Sequence, residues 1–384
     1  MNYLGMDDAE LKRRGASFTA QEISQQPAVW KETREMLKQR AAALDEFLSP
    51  LLRHKDLRIV LTGAGSSAYI GQCLQPELLQ KLGRRVEAIA TTDLVAGPDQ
   101  CFQSDVPTLL VSFARSGSSP ESLAAVELAQ RHVRNCYQLV ITCNPQGELY
   151  KLCTGQPKGF VLLLPEATHD RSFAMTSSFT SMLYAGLGAF DTELISSERV
   201  ERLSYSALAV LSGLSARLKS LAARPFTRMV YLGSRCLAGL ANEASLKLLE
   251  LTDGEVASVS NSPLGFRHGP KTFVNSDTLV IVFISNDPLT RRYDLDLLRE
   301  LRSDAQAGQV LAFCGKTGDG ADAEDCIALP GMTDALDRDL SFPLVVCAQI
   351  YAFYRALALG KSPDNPSSSG TVNRVVKGVT IHAA

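Results

Sequence analysis

From Leu57 onward the chain alternates short, unbroken apolar runs with longer stretches whose apolar residues recur every three or four positions. Runs that are apolar on both faces and end in glycine-rich turns predict buried parallel strands. Strands are expected at Arg58–Leu61, Val86–Ala90, Thr108–Ser112, Gln138–Thr142 and Phe160–Leu164, with helices between them, of which Glu121–Arg131 is the clearest. Alternation of this kind predicts an α/β fold with a parallel sheet covered by helices on both faces.

The pattern then repeats. VLTGAG at Val60 answers VYLGSR at Val230, and TLLVSF at Thr108 answers TLVIVF at Thr278. LVITCN at Leu139 answers VLAFCG at Val310, and LLLPE at Leu162 answers IALPG at Ile327. Four pairs in the same order, each offset by about 170 residues, indicate a duplicated domain rather than a solenoid. The expected organisation is an N-terminal helical arm (1–44), two tandem doubly wound parallel-sheet domains (45–205 and 206–366) and a C-terminal tail (367–384), with helical Ser196–Leu221 at the junction.

Residues 1–18 are mixed and polar and are expected to be poorly fixed. Thr19-Ala-Gln-Glu22 has capping-box spacing, and Pro27 is placed to open a second helix. In that helix Trp30, Leu37, Ala41, Leu44 and Leu48 share one face. At the other end, a Pro/Ser/Gly-rich loop precedes the short apolar segment Val372–Ile381, read as returning to the sheet crevice.

Composition narrows the function classes. Hydrophobic residues at 45% and charged residues at 21% describe a globular chain with ample core material. A formal charge of −2 argues against nucleic acid as a partner. The apolar runs look strand-sized, so no membrane span is expected, and the polar N-terminus has no signal-like apolar stretch. Nine cysteines without a CxxC pair, and only five histidines, give no zinc pattern and fit reduced thiols in a cytoplasm.

The candidate chemistry lies at predicted strand ends. Gly63-Ala-Gly-Ser66-Ser67, Ala114-Arg115-Ser116-Gly-Ser-Ser119 and Met175-Thr176-Ser177-Ser178 are hydroxyl-rich, and ligands of open α/β sheets bind at that edge. Hydroxyls, helix-start N–H groups and one arginine are the donors a phosphate needs. Gly63-x-Gly65-x-x-Ala68 also fits a dinucleotide fingerprint, but Glu87 and Asp93 sit poorly for the ribose carboxylate. In the second repeat, Glu243, Lys247 and Glu250 fall on successive turns of one helix. Glu250 lies among leucines, surroundings that raise a carboxyl pKa and suit a general base, although a Glu–Lys surface pair has the same spacing. His268 occupies the tight turn Phe266-Arg-His-Gly-Pro270, and Lys377 lies in the tail.

GAGSS, ARSGSS, LKLLE, the HGP turn and the tail lysine before VT together resemble double sugar-isomerase (SIS) domain proteins, over nearly all of residues 45–384. The pattern is similar to the isomerase half of glucosamine-6-phosphate synthase, whose motifs fall on Lys247, Glu250, His268 and Lys377. Segments THDRSFAMTSS, SPLGFRHGPK, TRRYDLDLL and SGTVNRVVKGV more closely resemble the AgaS family of galactosamine-6-phosphate deaminases, also known as tagatose-6-phosphate ketose/aldose isomerases. These 384 residues contain no glutaminase segment, and Ala114-Arg115 replaces the Ser-Gln of the synthase loop.

The resemblance implies Ser66, Ser67, Arg115, Ser116, Ser119, Thr176 and Ser177 as substrate ligands and a sugar phosphate as the small-molecule partner. It implies Glu250 as the base moving a proton between carbons 2 and 1, and His268 as the ring-opening group. Lys377 and Lys247 are implied to stabilise the enolamine oxygen. No metal or organic cofactor is implied. A homo-oligomer, at least a dimer, is implied, with His268 serving the neighbouring subunit.

Overall fold

The computed structural model describes residues 2–321, 325–376 and 378–382. The start of the chain is more ordered than its polarity suggests. A small hairpin, β1 (Asn2–Tyr3) and β2 (Met6–Asp7), precedes a helix at Asp8–Arg13, and Leu4, Met6 and Leu11 are buried. Arg14 donates to the Leu357 carbonyl at 2.5 Å, so polar anchors fix a segment that composition alone marks as loose.

One helix of 36 residues, Ser17–Leu52, follows where two were expected. Pro27 does not open a new helix. Its missing N–H would have served the Ile23 carbonyl, and the Gln26 side chain donates to that carbonyl instead, at 3.0 Å. The capping box is also replaced. Asp364 accepts from the N–H groups of Phe18 and Thr19 at 3.1 and 2.7 Å, while Glu22 accepts from the N–H groups of Arg171 and Ser172.

The first sheet consists of β3 (Arg58–Thr62), β4 (Val86–Ala88), β5 (Thr108–Ala114), β6 (Cys136–Thr142) and β7 (Gly159–Leu163). All pairs are parallel and the order is β4-β3-β5-β6-β7. The second sheet consists of β8 (Arg228–Leu232), β9 (Ala257–Asn261), β10 (Thr278–Ile284), β11 (Gln309–Cys314) and β12 (Cys326–Ala328). Its order, β9-β8-β10-β11-β12, is also all parallel. Read from the first strand of each repeat, both sheets have the order 2-1-3-4-5. Each therefore has a topological switch point between its first and third strands. The chain is two tandem doubly wound parallel-sheet domains related by duplication.

Packing groups the chain into two units. The first-sheet unit comprises Ala28–Asp170, Ser177–Val200 and Thr371 onward; the second-sheet unit comprises the start of the chain to Pro27, Arg171–Thr176 and Glu201–Gly370. The segment 1–44, treated as a single arm from sequence, is shared between them. The centre of the second-sheet unit is a helix at Asp337–Ala358, packed against the Cys236–Leu251 and Ser215–Ala222 helices. It is long and apolar enough to cross a membrane, which corrects the expectation that apolar runs are only strand-sized, yet its apolar window is wholly buried inside the protein. A helix enclosed on all sides is apolar on all sides.

Candidate active site

Each repeat turns from its first strand into a helix through the same backbone shape. In the first, Gly63 is required by space, because a Cβ there would lie 2.5 Å from that of Ser67. Gly65 then takes φ 55°, ψ −128°, a conformation open to glycine, and the Ser66–Leu82 helix begins. Ser66 and Ser67 are buried in its first turn, and the N-cap residue, Gly65, has no side chain with which to cap the helix. The Ser67 and Ala68 N–H groups bond back to the Ala64 and Gly65 carbonyls, and the positive end of the helix dipole lies at the sheet edge, where an anion is favoured.

The β5 loop is its neighbour across the switch point. Arg115 is buried, Gly117 has φ 64°, and Ser116 is fixed through its carbonyl, which accepts from the Asn144 side chain at 2.7 Å. Ser119 begins the Pro120–His132 helix and shares a 2.6 Å hydroxyl contact with Ser122. Ser66, Ser67, Arg115, Ser116 and Ser119 thus sit on two adjoining loops at the C-terminal edge of one sheet.

The third predicted loop is divided. Thr176 groups with the second-sheet unit, and Ser177 with the first. Ser177 Oγ donates to the Asp170 carboxylate, which also accepts from Ser178 N–H at 2.8 Å and Ser178 Oγ at 2.5 Å. Asp170 therefore secures the start of the Ser177–Phe190 helix, and Ser177 is committed to it.

The tail comes back to this same edge. Arg115 Nη2 donates to the Arg374 carbonyl at 2.6 Å, and the Arg374 guanidinium donates to the Asp170 carbonyl. His169 is held below its ordinary pKa by burial first, then by the positive charges of Arg374 and Arg115. Lys377 lies outside the described residues. Sequence reasoning passed over Arg374 and Asp170 as individual residues, although both lie in segments that carry the family resemblance.

In the second-sheet unit the Cys236–Leu251 helix follows β8. Lys247 and Glu243 are fully buried, and Glu250 retains 23% side-chain exposure. The Lys247 ammonium donates to Glu250 Oε2 and lies 3.6 Å from Glu243 Oε1. Glu250 was read as a carboxylate among leucines; the structure places a buried cation directly against it. One oxygen of this carboxylate is held by the ammonium while the side chain stays partly exposed, an arrangement that suits a group exchanging protons with a bound molecule.

His268 stands on an exposed turn after the short Pro263–Phe266 helix. Gly269 has φ 116°, and the turn is tied down on both sides: Arg267 pairs with Glu300 at 2.7 Å, and Lys271 with Asp304 at 2.5 Å. The structure thus brings Lys247 and Glu250 together and presents His268 separately.

Two parallel sheets of one topology, with serine loops at a switch point, define a protein of the SIS class, and residues 51–190 match the SIS domain. The chain is 50% identical over 370 residues to an AgaS protein of Streptomyces coelicolor, covering 96% of each. It is 46% identical over 367 residues to the D-galactosamine-6-phosphate deaminase AgaS of Escherichia coli, covering 95% of this chain and 96% of the relative. The crystal structure of tagatose-6-phosphate ketose/aldose isomerase from Escherichia coli superposes with a TM-score of 0.90 at 44% identity, over 95% of this chain and 96% of that one. The chain belongs to the AgaS family.

Proposed function

We propose that the protein converts D-galactosamine 6-phosphate into D-tagatose 6-phosphate and ammonia. The observation that carries this reading is Glu250, a partly exposed carboxylate gripped by the buried Lys247 ammonium. The phosphate is taken by Ser66, Ser67, Arg115, Ser116 and Ser119, with Thr176 and Ser177 supporting the third loop. Phosphate does not react, so these contacts serve binding and orientation.

His268 moves the proton at the ring oxygen to open the sugar; its exposed turn is compatible with service to a neighbouring subunit of a homo-oligomer. Glu250 removes the proton from carbon 2 and returns it to carbon 1. The aldehyde and its neighbouring amine become an enolamine and then a 2-imino ketose. Water adds to the imine carbon, and ammonia leaves. Lys247 orients Glu250, and Lys377 is assigned to the enolamine oxygen, where charge builds up. Every step is a proton transfer, the addition of water to the imine, or the expulsion of ammonia from the resulting carbinolamine, with the chain's own groups moving the protons.

Simple aldose–ketose isomerisation without loss of nitrogen uses the same groups, and the Escherichia coli structural relative bears that activity in its name. Ammonia release separates the two. Purified protein given galactosamine 6-phosphate should release ammonia and ketose phosphate in equal amounts, and Glu250→Gln should abolish both. Interconversion of tagatose 6-phosphate with its aldose, without ammonia from the amino sugar, would assign it as an isomerase.

A further inference from the structure

A cavity of about 450 Å³ opens at the C-terminal edge of the second sheet, between the Pro288–Asp304 helix and the loop after β11. Parallel sheets bind ligands at this edge, and the volume is that of a small-metabolite site. The lining is unevenly charged. Arg299 is paired with Asp296 at 2.8 Å, and Arg291 Nε lies 3.7 Å from the Asp319 carboxylate. Arg292 and Lys316 also line the cavity, and both are exposed and have no carboxylate partner among the described residues. Two cations are therefore left uncompensated, which matches the charge of a phosphate monoester near neutral pH.

The buried groups of the lining point the same way. Arg291 is 5% exposed. Its Nη2 donates to the carbonyls of Lys316 and Gly318, at 2.9 and 3.2 Å, but Nε and Nη1 make no hydrogen bond. Asn286 Oδ1 has no donor either, and its amide is fixed in orientation because Nδ2 donates to the carbonyls of Met332 and Ala335. Buried donors and acceptors without partners are costly, and a native protein that keeps them usually has a ligand or water for them. We propose that this cavity is a second anion site, which takes the phosphate of a small phosphorylated metabolite on Arg291, Arg292 and Lys316. Asn286 would accept from a hydroxyl or amine of the same molecule. None of its lining residues belongs to the loops that carry Ser67 and Ser116.

Arg292→Gln/Lys316→Gln tests this, since both side chains are exposed and their loss leaves the fold intact. Crystals soaked in tungstate should show anomalous density at Arg291 and Arg292, absent from the double variant. Equilibrium dialysis with inorganic phosphate should show a binding event that weakens by about tenfold or more in the variant, the loss expected for charge-assisted hydrogen bonds. Melting temperature without ligand should be unchanged. Density confined to the Ser67 and Ser116 loops, or density that persists in the variant, overturns the proposal. Binding seen only at soaking concentrations marks an adventitious ion and overturns it as well.

Discussion

Gly65 and Arg235 share one backbone conformation: φ 55°, ψ −128° in the first and φ 54°, ψ −125° in the second. Each is the residue before the helix that follows the first strand of its repeat. Duplication has preserved the turn while changing the side chain, so an arginine occupies a conformation that favours glycine.

A residue with a Cβ in this region carries strain of about 1–3 kcal/mol. Arg235→Gly should relieve it, less about 0.4–1 kcal/mol for the greater freedom of the unfolded chain. Arg235→Ala removes the same guanidinium, and with it the 3.7 Å pair to Asp287, but keeps the strain. Thermal unfolding should therefore place the Gly variant above the Ala variant. Equal midpoints would show that the turn tolerates a side chain without cost.

Asp294 provides a pH prediction. Burial pushes its carboxyl up to about 6, the Asp337 carboxylate adds to the rise, and bonds from Ser234 and the Ser285 N–H, with Arg291 nearby, oppose it. A folded value above the unfolded one means that the native state holds a proton the unfolded chain has released. Stability from this group is thus present below about pH 4 and lost as pH rises to about 6, a change of about 2–3 kcal/mol. Asp294→Asn keeps an acceptor for the Ser285 N–H, turns its amide N–H to the Ser234 hydroxyl oxygen, and removes the titration. Denaturant unfolding across pH 4–7 should show wild type losing stability relative to the Asn variant as pH rises. A constant difference would count against a proton on Asp294.

How far the sequence reveals this molecule follows from what each feature depends on. The strands of the first sheet lie within about two residues of their expected positions, because a strand buried on both faces is a local apolar run between turns. The repeat predicted the second sheet for the same reason. The cap of the Ser17–Leu52 helix was not legible, because Asp364 supplies it from 345 residues away in sequence. Nor was the tolerance of Pro27 within that helix, which rests on the rotamer of Gln26. Lys247 and Glu250 could be paired by spacing, but nothing local showed that Lys247 and Glu243 are fully enclosed. The bond from Ser177 to Asp170 was not legible either, because it depends on how the segment between them folds.

The buried charges on the Cys236–Leu251 helix separate structure from chemistry. Lys247→Met leaves Glu243 enclosed without its cation, a loss of about 3–5 kcal/mol for a broken buried pair. Adding Glu243→Gln should restore much of that stability but not turnover, since Glu250 still lacks its ammonium. Glu250→Gln should leave the melting midpoint nearly unchanged and lower kcat by about 10²–10⁴-fold, the usual worth of a general base. Stability and kcat that fall together across all three variants would make the cluster purely structural.

The tail provides the last test. Val372 and Val376 are 56% and 50% exposed, so apolar burial of these residues does not hold it. Two bonds that anchor it are that of Arg115 to the Arg374 carbonyl and that of Arg374 to the Asp170 carbonyl. Loss of the Arg374 side chain removes the second of these and leaves the first, so it should loosen the tail at little cost in global stability. Arg374→Ala should become sensitive to thermolysin after Thr371 while keeping its melting midpoint. If the tail only covers the sheet edge, turnover should be unaffected by that release. If it delivers Lys377 to the reacting sugar, kcat should fall in Arg374→Ala. It should also fall, by about 10²-fold, in Lys377→Met, the loss typical of one electrostatic stabiliser, with thermolysin sensitivity unchanged. Wild-type turnover in Lys377→Met would make the tail structural and leave Glu250 to act without it.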